Sequence, residues 1–130
     1  MIVKIKIKLY YHSMKSPIIG ITLDFENNGG YSKFPWYAIR ENYLSCLYKY
    51  GAIPFPLFHE TTINSSLLKI LDGLVITGGN FDINPELYAE NDSGSRNIKD
   101  KRTKFEIDIF QKFLKTTKPI LGICGGQQLM

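Results

Sequence analysis

Short apolar runs alternate with amphipathic segments along most of this chain. Four runs have the length and composition of buried strands, at residues 18–23, 53–58, 73–77 and 119–123. Apolar residues recur at helical spacing between them, at residues 35–50, 63–71 and 101–114. Two polar, glycine-bearing segments are predicted as loops, at residues 24–33 and 80–99. Repeated strand–helix units predict an α/β fold with a parallel sheet and right-handed crossovers.

Prolines, glycines and one acidic residue mark the ends of the predicted elements. Pro35 suits the first position of the first helix, and Gly51 suits the left-handed residue that follows its end. Pro54 and Pro56 cannot donate to a strand ladder, so the second strand is predicted at an edge of the sheet. Asp100 is predicted to cap the third helix.

The start of the chain differs from the rest. Lysine alternates there with Ile or Val, a strand-like pattern that is too interrupted by charge for a membrane span or a signal peptide. The core pattern begins only at Pro17. We therefore expect residues 1–15 to form a flexible N-terminal extension, with an additional edge strand as the alternative. Residues 16–130 are expected to form the functional unit.

Composition narrows the class of protein. With 130 residues, of which 44% are hydrophobic, the chain can form one domain with a real core. The net charge of +4 comes from lysines near the start and from a basic group at residues 99–104. We interpret these residues as solvated surface and expect no nucleic-acid partner. Two cysteines form neither a disulfide framework nor a zinc site, which favours a reducing, cytoplasmic compartment.

Cys124 occupies an unusual position for a cysteine. It follows an apolar strand and precedes Gly125 and Gly126, the pattern of a strand that delivers a nucleophile to a sharp turn before a helix. On this context alone, a nucleophile and a small buried side chain are equally supported. Cys46, inside a helical pattern, is predicted to be such a buried side chain.

Gly78 and Gly79 follow the third predicted strand. They could form a tight turn, or they could leave a bare backbone N–H for an oxyanion. A phosphate loop is excluded because the segment lacks the dinucleotide spacing and the P-loop lysine. Ligands bind at the carboxyl edge of open α/β sheets, so these glycines are predicted to face Cys124 across a crevice.

Several segments together resemble one known family. They are residues 17–22 (PIIGIT), 35–43 (PWYAIRENY), 72–79 (DGLVITGG), 82–88 (DINPELY) and 118–128 (KPILGICGGQQ). The last is similar to the nucleophile motif of class I glutamine amidotransferases. The combination resembles the gamma-glutamyl-gamma-aminobutyrate hydrolase branch, the C26-type peptidases of putrescine breakdown, which have a flavodoxin-like sheet.

The resemblance implies a hydrolase of gamma-glutamyl amide bonds with a small-molecule substrate and neither a metal nor an organic cofactor. By matched position, Cys124 is the nucleophile that forms a thioester. The backbone N–H groups of Gly79 and Gly125 match the oxyanion hole, while Gly78 and Gln128 match positions that contact the substrate.

The chain departs from the family pattern at two positions near the predicted site. Gly125 stands where the family usually has Arg, and Thr103 stands where it usually has Asp. Neither change removes the thiol, but both bear on the fine shape of the site.

The family's catalytic His and its orienting Glu lie beyond the nucleophile, and no residue here matches them. We therefore expect the N-terminal half of the hydrolase domain, truncated after the nucleophile elbow and inactive by itself. A second chain could supply the missing half; the alternative is a non-enzymatic remnant or binding half-domain. An open strand edge would favour self-association. His59 follows the second strand, and we interpret it as a surface residue rather than the base.

Overall fold

The computed structural model describes residues 15–59 and 63–130, so nearly all of the extension expected at residues 1–15 lies outside the described residues. The strands of the described part are β1 (Ile18–Thr22), β2 (Asp24–Glu26), β3 (Trp36–Ala38), β4 (Ile53–Leu57), β5 (Gly73–Ile76) and β6 (Ile120–Gly122). Its helices are α1 (Glu41–Lys49), α2 (Ser65–Ile70), α3 (Asp100–Leu114) and α4 (Gly125–Leu129), with a 3₁₀ turn at Pro85–Tyr88.

A parallel sheet organises the fold. Its strand order is β4-β1-β5-β6, and each neighbouring pair is parallel. Ile21 of β1 lies opposite Pro56 on one side and Val75 on the other. The predicted α/β class is confirmed, and β4, which carries the two prolines, lies at an edge of this sheet as predicted.

Helix α3 covers one face of the sheet. Phe105, Ile109 and Phe113 are spaced along a single helical face, and all three are buried against the sheet. The buried core around them also contains Leu57, Ile63, Leu71, Leu74 and Ile76. The helix predicted from apolar spacing at residues 101–114 is therefore confirmed, and its apolar face is buried.

The opposite face of the sheet is covered less completely. Helix α1 lies on this side, and none of its residues is buried. Cys46 is exposed, so the prediction that it is a small buried side chain is wrong. It lines an open apolar cavity of about 260 Å³ with Leu47, Val75 and Leu121, and Leu121 of β6 remains 56% exposed.

The segment around Pro35 was predicted as a helix start after a loop, but it forms an antiparallel hairpin. β2 pairs with β3, with Phe25 opposite Tyr37, and the two rings lie 5.1 Å apart. The Trp36 indole N–H donates to the Gly29 carbonyl at 3.1 Å. Aromatic cross-strand packing outweighs the helical spacing here, so α1 begins only at Glu41.

The end of α1 agrees with the prediction from the sequence, whereas the start of α3 does not. Gly51 has a φ of 80° just beyond α1, the left-handed conformation predicted for it. Asp100 is the first residue of α3 rather than its cap; Lys99 precedes the helix, and no side chain caps it. In the described ranges, no helix is long and apolar enough to cross a membrane.

Candidate functional site

The turn between β6 and α4 holds Cys124 in a strained conformation. Its φ of 53° and ψ of −112° are rare for a residue with a side chain. Such backbone strain costs about 1–3 kcal/mol and persists only where the surroundings enforce it. Gly126 is part of that enforcement, because a Cβ on it would overlap the Ile76 carbonyl oxygen. The exposed thiol therefore stands just beyond strand β6, on a turn that packing holds in place.

The end of β5 lies directly against this turn. A Cβ built on Gly78 would come 2.7 Å from the Cys124 Cβ and 3.4 Å from its Sγ. Only a glycine allows this approach. The structure therefore brings Gly78 and Cys124 together across the carboxyl edge of the sheet.

Two backbone N–H groups beside the thiol have no protein acceptor. Within residues 15–59 and 63–130, neither the Gly79 N–H nor the Gly125 N–H donates a hydrogen bond, whereas the Gly78 N–H donates to the Tyr43 hydroxyl at 3.4 Å. Gly79 and Gly125 also share a neighbour, since Cβ atoms on them would lie 2.9 and 3.2 Å from the Phe81 ring. Unsatisfied N–H groups are what an oxyanion requires.

A buried guanidinium lies beneath this edge. The Arg102 side chain is fully buried, and its Nη2 donates to the carbonyl oxygens of Thr77 at 2.7 Å and Gly78 at 3.2 Å. Its Nε donates to Glu106 at 3.0 Å and its Nη1 to Asp24 at 3.2 Å. The prediction that the basic group at residues 99–104 is solvated surface is therefore wrong for Arg102, which is held by buried oxygen acceptors.

The two carboxyl groups that contact Arg102 have pKa values shifted in opposite directions. Burial acts to raise the pKa of Asp24, but hydrogen bonds from Lys99 and from the Phe25 N–H, with the Lys99 and Arg102 charges, outweigh it and lower the pKa. Burial raises the pKa of Glu106, and the charge of Arg102 opposes this only in part. Lys99 lies 2.8 Å from Asp24 and 2.7 Å from Glu26. Each of the two cations in this cluster, Arg102 and Lys99, is thus paired with two carboxylates.

Gln128 occupies a different cavity from the two glycines of β5. It is exposed on α4 and lines a cavity of about 390 Å³ with Asp82, Ile83, Tyr88 and Ser95. Gly78 and Gly79 line another cavity of about 200 Å³, together with Asp24, Arg40, Tyr43 and Asn80. Cys124 lines neither cavity, but it contacts Gly78, which lines the smaller one.

His59 is buried, which corrects its interpretation as a surface residue. Its Nε2 lies 2.9 Å from the Leu23 carbonyl oxygen, and the rings of Phe25, Tyr37 and Phe105 surround it. Burial is the largest cause of a pKa below the usual value for histidine. No hydrogen bond joins the thiol of Cys124 to this ring or to any other residue in the described part of the chain.

Sequence reasoning missed Arg102, Glu106 and Phe81 as parts of this site. A signal was present, because Arg102 and Glu106 are four residues apart on the helical face that also carries Phe105 and Ile109. A charged pair in that position on an apolar face indicates a buried ion pair. For Phe81 the sequence holds no comparable signal, since it lies in an irregular loop.

Known proteins that are similar to this chain are glutamine amidotransferase-like proteins and a gamma-glutamyl hydrolase. Residues 17–130 match the peptidase C26 family. A glutamine amidotransferase-like protein of Rickettsia prowazekii is 39% identical over 89% of this chain and 43% of its own length. The YvdE homolog of Lactococcus lactis subsp. cremoris, also glutamine amidotransferase-like, is 32% identical over 87% and 62%. The gamma-glutamyl-gamma-aminobutyrate hydrolase of Escherichia coli strain K12 is 28% identical over 88% and 45%. The chain spans about half the length of the curated relatives it matches.

Proposed function

This chain belongs to the peptidase C26 family, and from that premise we propose that it carries the nucleophile of a gamma-glutamyl amide hydrolase. The observation that supports this most directly is the strained, exposed Cys124 in contact with Gly78. The substrate proposed is a small gamma-glutamyl amide, in line with the name of the Escherichia coli relative. A cytoplasmic location and a role in putrescine breakdown are part of the same proposal.

The proposed reaction begins at the thiol. The Cys124 sulfur, after losing its proton to a base, attacks the gamma-carbonyl carbon and forms a C–S bond while the carbonyl π electrons move to oxygen. The tetrahedral species then collapses, the C–N bond breaks, and the amine leaves with a proton. Water hydrolyses the resulting thioester to glutamate and regenerates the thiol.

The developing oxyanion is where we propose that the backbone acts. The N–H groups of Gly79 and Gly125 have no acceptor among the described residues, and both glycines lie on the Phe81 ring beside the nucleophile. Two pre-positioned donors stabilise negative charge on oxygen without reorganising when the reaction occurs, and one such donor is worth about 100–1000-fold in rate. Gln128, in the neighbouring cavity, is proposed to hold the glutamyl group.

The base for Cys124 is proposed to come from polypeptide outside residues 15–59 and 63–130. His59 is a poor candidate because its Nε2 already lies in hydrogen-bond contact with Leu23 and three aromatic rings enclose it. The residues described here would then supply the nucleophile and the oxyanion donors, and another segment or chain would supply the histidine.

A second candidate function is binding without turnover. The absence of a hydrogen-bonded base at Cys124 within the described residues favours it. In this alternative the cavities beside Gly79 and Gln128 hold a gamma-glutamyl ligand, and the thiol does not react.

The two candidates differ in single-turnover chemistry. Gamma-glutamyl-p-nitroaniline is a suitable probe because nitroaniline is weakly basic and leaves with little help from an acid. We expect this chain to release about one equivalent of nitroaniline and to retain the glutamyl group as a thioester, which hydroxylamine added afterwards converts to the hydroxamate. Repeated turnover is expected to stay undetectable unless a base is supplied, because no residue in the described part of the chain is hydrogen-bonded to the Cys124 thiol.

The control is Cys124→Ala beside Cys46→Ala. Release should disappear in the first variant and remain in the second, because both cysteines are exposed and only Cys124 lies against Gly78. Release that survives Cys124→Ala would refute the proposed nucleophile. Binding of the probe with no release in the native chain would favour the binding function.

A further inference from the structure

We propose that Arg102 is a positioning residue that aims the Gly79 N–H at the substrate oxyanion. The inference rests on the proposed function, since it gives Arg102 a role only if Gly79 is an oxyanion donor. It is carried by four observations: the hydrogen bonds of the guanidinium, the geometry of the peptide bond, the fixation of Arg102, and the Phe81 ring shared by both glycines.

The Arg102 guanidinium donates hydrogen bonds just beyond the end of strand β5, at the two residues that precede Gly79. Its Nη2 donates to the Thr77 carbonyl at 2.7 Å, to the Thr77 hydroxyl at 3.0 Å and to the Gly78 carbonyl at 3.2 Å. Two successive carbonyls are thus turned toward α3 by one side chain. An irregular segment beyond a strand has no ladder to orient its peptide planes, so this side chain supplies the orientation.

Because the peptide bond is planar, fixing the Gly78 carbonyl also fixes the direction of the Gly79 N–H. The Gly78 carbonyl and the Gly79 N–H belong to one planar trans peptide, in which the C=O and N–H bonds point in opposite directions. Because Arg102 holds the carbonyl on the α3 side, the Gly79 N–H points away from α3. A hydrogen bond from a cation to that carbonyl also polarises the peptide and strengthens its N–H as a donor.

Arg102 is itself fixed, so the direction is set before any ligand arrives. Its Nε bonds Glu106 at 3.0 Å, its Nη1 bonds Asp24 at 3.2 Å, and its side chain has no solvent exposure. The guanidinium carbon lies 4.2 Å from the centre of the Phe81 ring. A donor oriented by a buried, multiply bonded side chain costs little reorganisation during reaction.

The Phe81 ring links this arrangement to the second donor. It packs on the Arg102 guanidinium and lies beside both Gly79 and Gly125, where added Cβ atoms would approach it to 2.9 and 3.2 Å. A shift of Arg102 would therefore move the ring that both glycines contact. The spacing of the two N–H groups depends on the same buried contacts.

Two reagents that modify the Cys124 thiol distinguish a positioning role of Arg102 from a purely structural one. The Cys124 sulfur adds to the ketone carbon of a chloromethyl ketone analogue of glutamine and forms an oxyanion. The sulfur then bonds to the methylene carbon as chloride leaves, and its bond to the ketone carbon breaks as the carbonyl re-forms. Iodoacetamide displaces iodide directly and forms no oxyanion. The ratio of the two rate constants at Cys124, read by peptide mass mapping, reports the oxyanion donors separately from thiol access.

We expect Arg102→Lys to lower this ratio at least about tenfold, since one ammonium cannot reproduce the planar set of hydrogen bonds to two carbonyls and two carboxylates. Arg96→Lys is the matched control, because its side chain is exposed and bonds nothing in the described residues. Thermal melts of each variant test folding. If Arg102→Lys does not fold, the double variant Arg102→Met with Glu106→Gln keeps the buried charges balanced and should lower the ratio as well.

The outcomes separate the inference from the function on which it rests. A native chain whose Cys124 reacts no faster with the chloromethyl ketone than exposed Cys46 does would overturn both. A native preference for Cys124 together with an unchanged ratio in a folded Arg102 variant would overturn the role of Arg102 alone. A lowered ratio at unchanged iodoacetamide rate would support it.

Discussion

The two cysteines of this protein are both exposed, yet they stand in opposite kinds of structure. Cys46 lies inside α1, in ordinary helical backbone, beside an open apolar cavity. Cys124 lies on a strained turn, against Gly78 and beside two N–H groups that find no acceptor in the described part of the chain. The two thiols are therefore alike in exposure and differ in the backbone around them.

Replacing a glycine near each cysteine by alanine should lower the free energy of unfolding by very different amounts. Gly126 has no room for a Cβ beside the Ile76 carbonyl, so we expect Gly126→Ala to cost about 3 kcal/mol or more as the turn is forced open. Gly51, at the end of α1, has a φ of 80° but open space around it, so Gly51→Ala should cost only about 1–2 kcal/mol of backbone strain. Denaturant unfolding of both variants measures the difference. Equal losses would show that the turn at Cys124 is not held by close packing.

His59 tests whether the reactivity of Cys124 depends on any histidine in the described residues. Burial lowers its pKa, so the folded state binds fewer protons than the unfolded state below about pH 6.5. The resulting stability is present above that pH and is lost as the pH falls through the lowered pKa. His59→Gln should therefore flatten the stability profile on the acid side of about pH 6.5.

The same variant gives a second readout. Because His59 is hydrogen-bonded to Leu23 and enclosed by aromatic rings, His59→Gln should leave the alkylation rate of Cys124 unchanged at neutral pH. A slower rate in a variant that melts normally would show that His59 acts on the thiol. Melts across pH and alkylation at one pH suffice for both measurements.

Much of this architecture could be predicted from the sequence because local patterns determine it. The four core strands, the buried face of α3 and the left-handed Gly51 follow from apolar spacing and from the conformational freedom of glycine. The closeness of Gly78 to Cys124 follows from the rule that parallel strands bring their carboxyl ends to one edge.

The remaining features depend on contacts between residues far apart in the chain. The hairpin of β2 and β3 forms because Phe25, Tyr37 and His59 pack together, and spacing within one segment does not reveal that cluster. Arg102 lies in a basic stretch that looks solvated, yet acceptors from β2 and the end of β5 bury it. Cys46 was misjudged because α1 presents no buried residue to the sheet.

The most direct test of the account is the distribution of a chloromethyl ketone analogue of glutamine between the two cysteines of the native chain. With both thiols exposed, iodoacetamide should modify Cys46 and Cys124 at rates within about tenfold of each other. The analogue should instead be found on Cys124 almost exclusively, and an excess of a gamma-glutamyl amide should protect that residue. An even distribution of the analogue, or modification that the amide does not reduce, would contradict the proposal that the turn at Cys124 is a gamma-glutamyl acyl-transfer site.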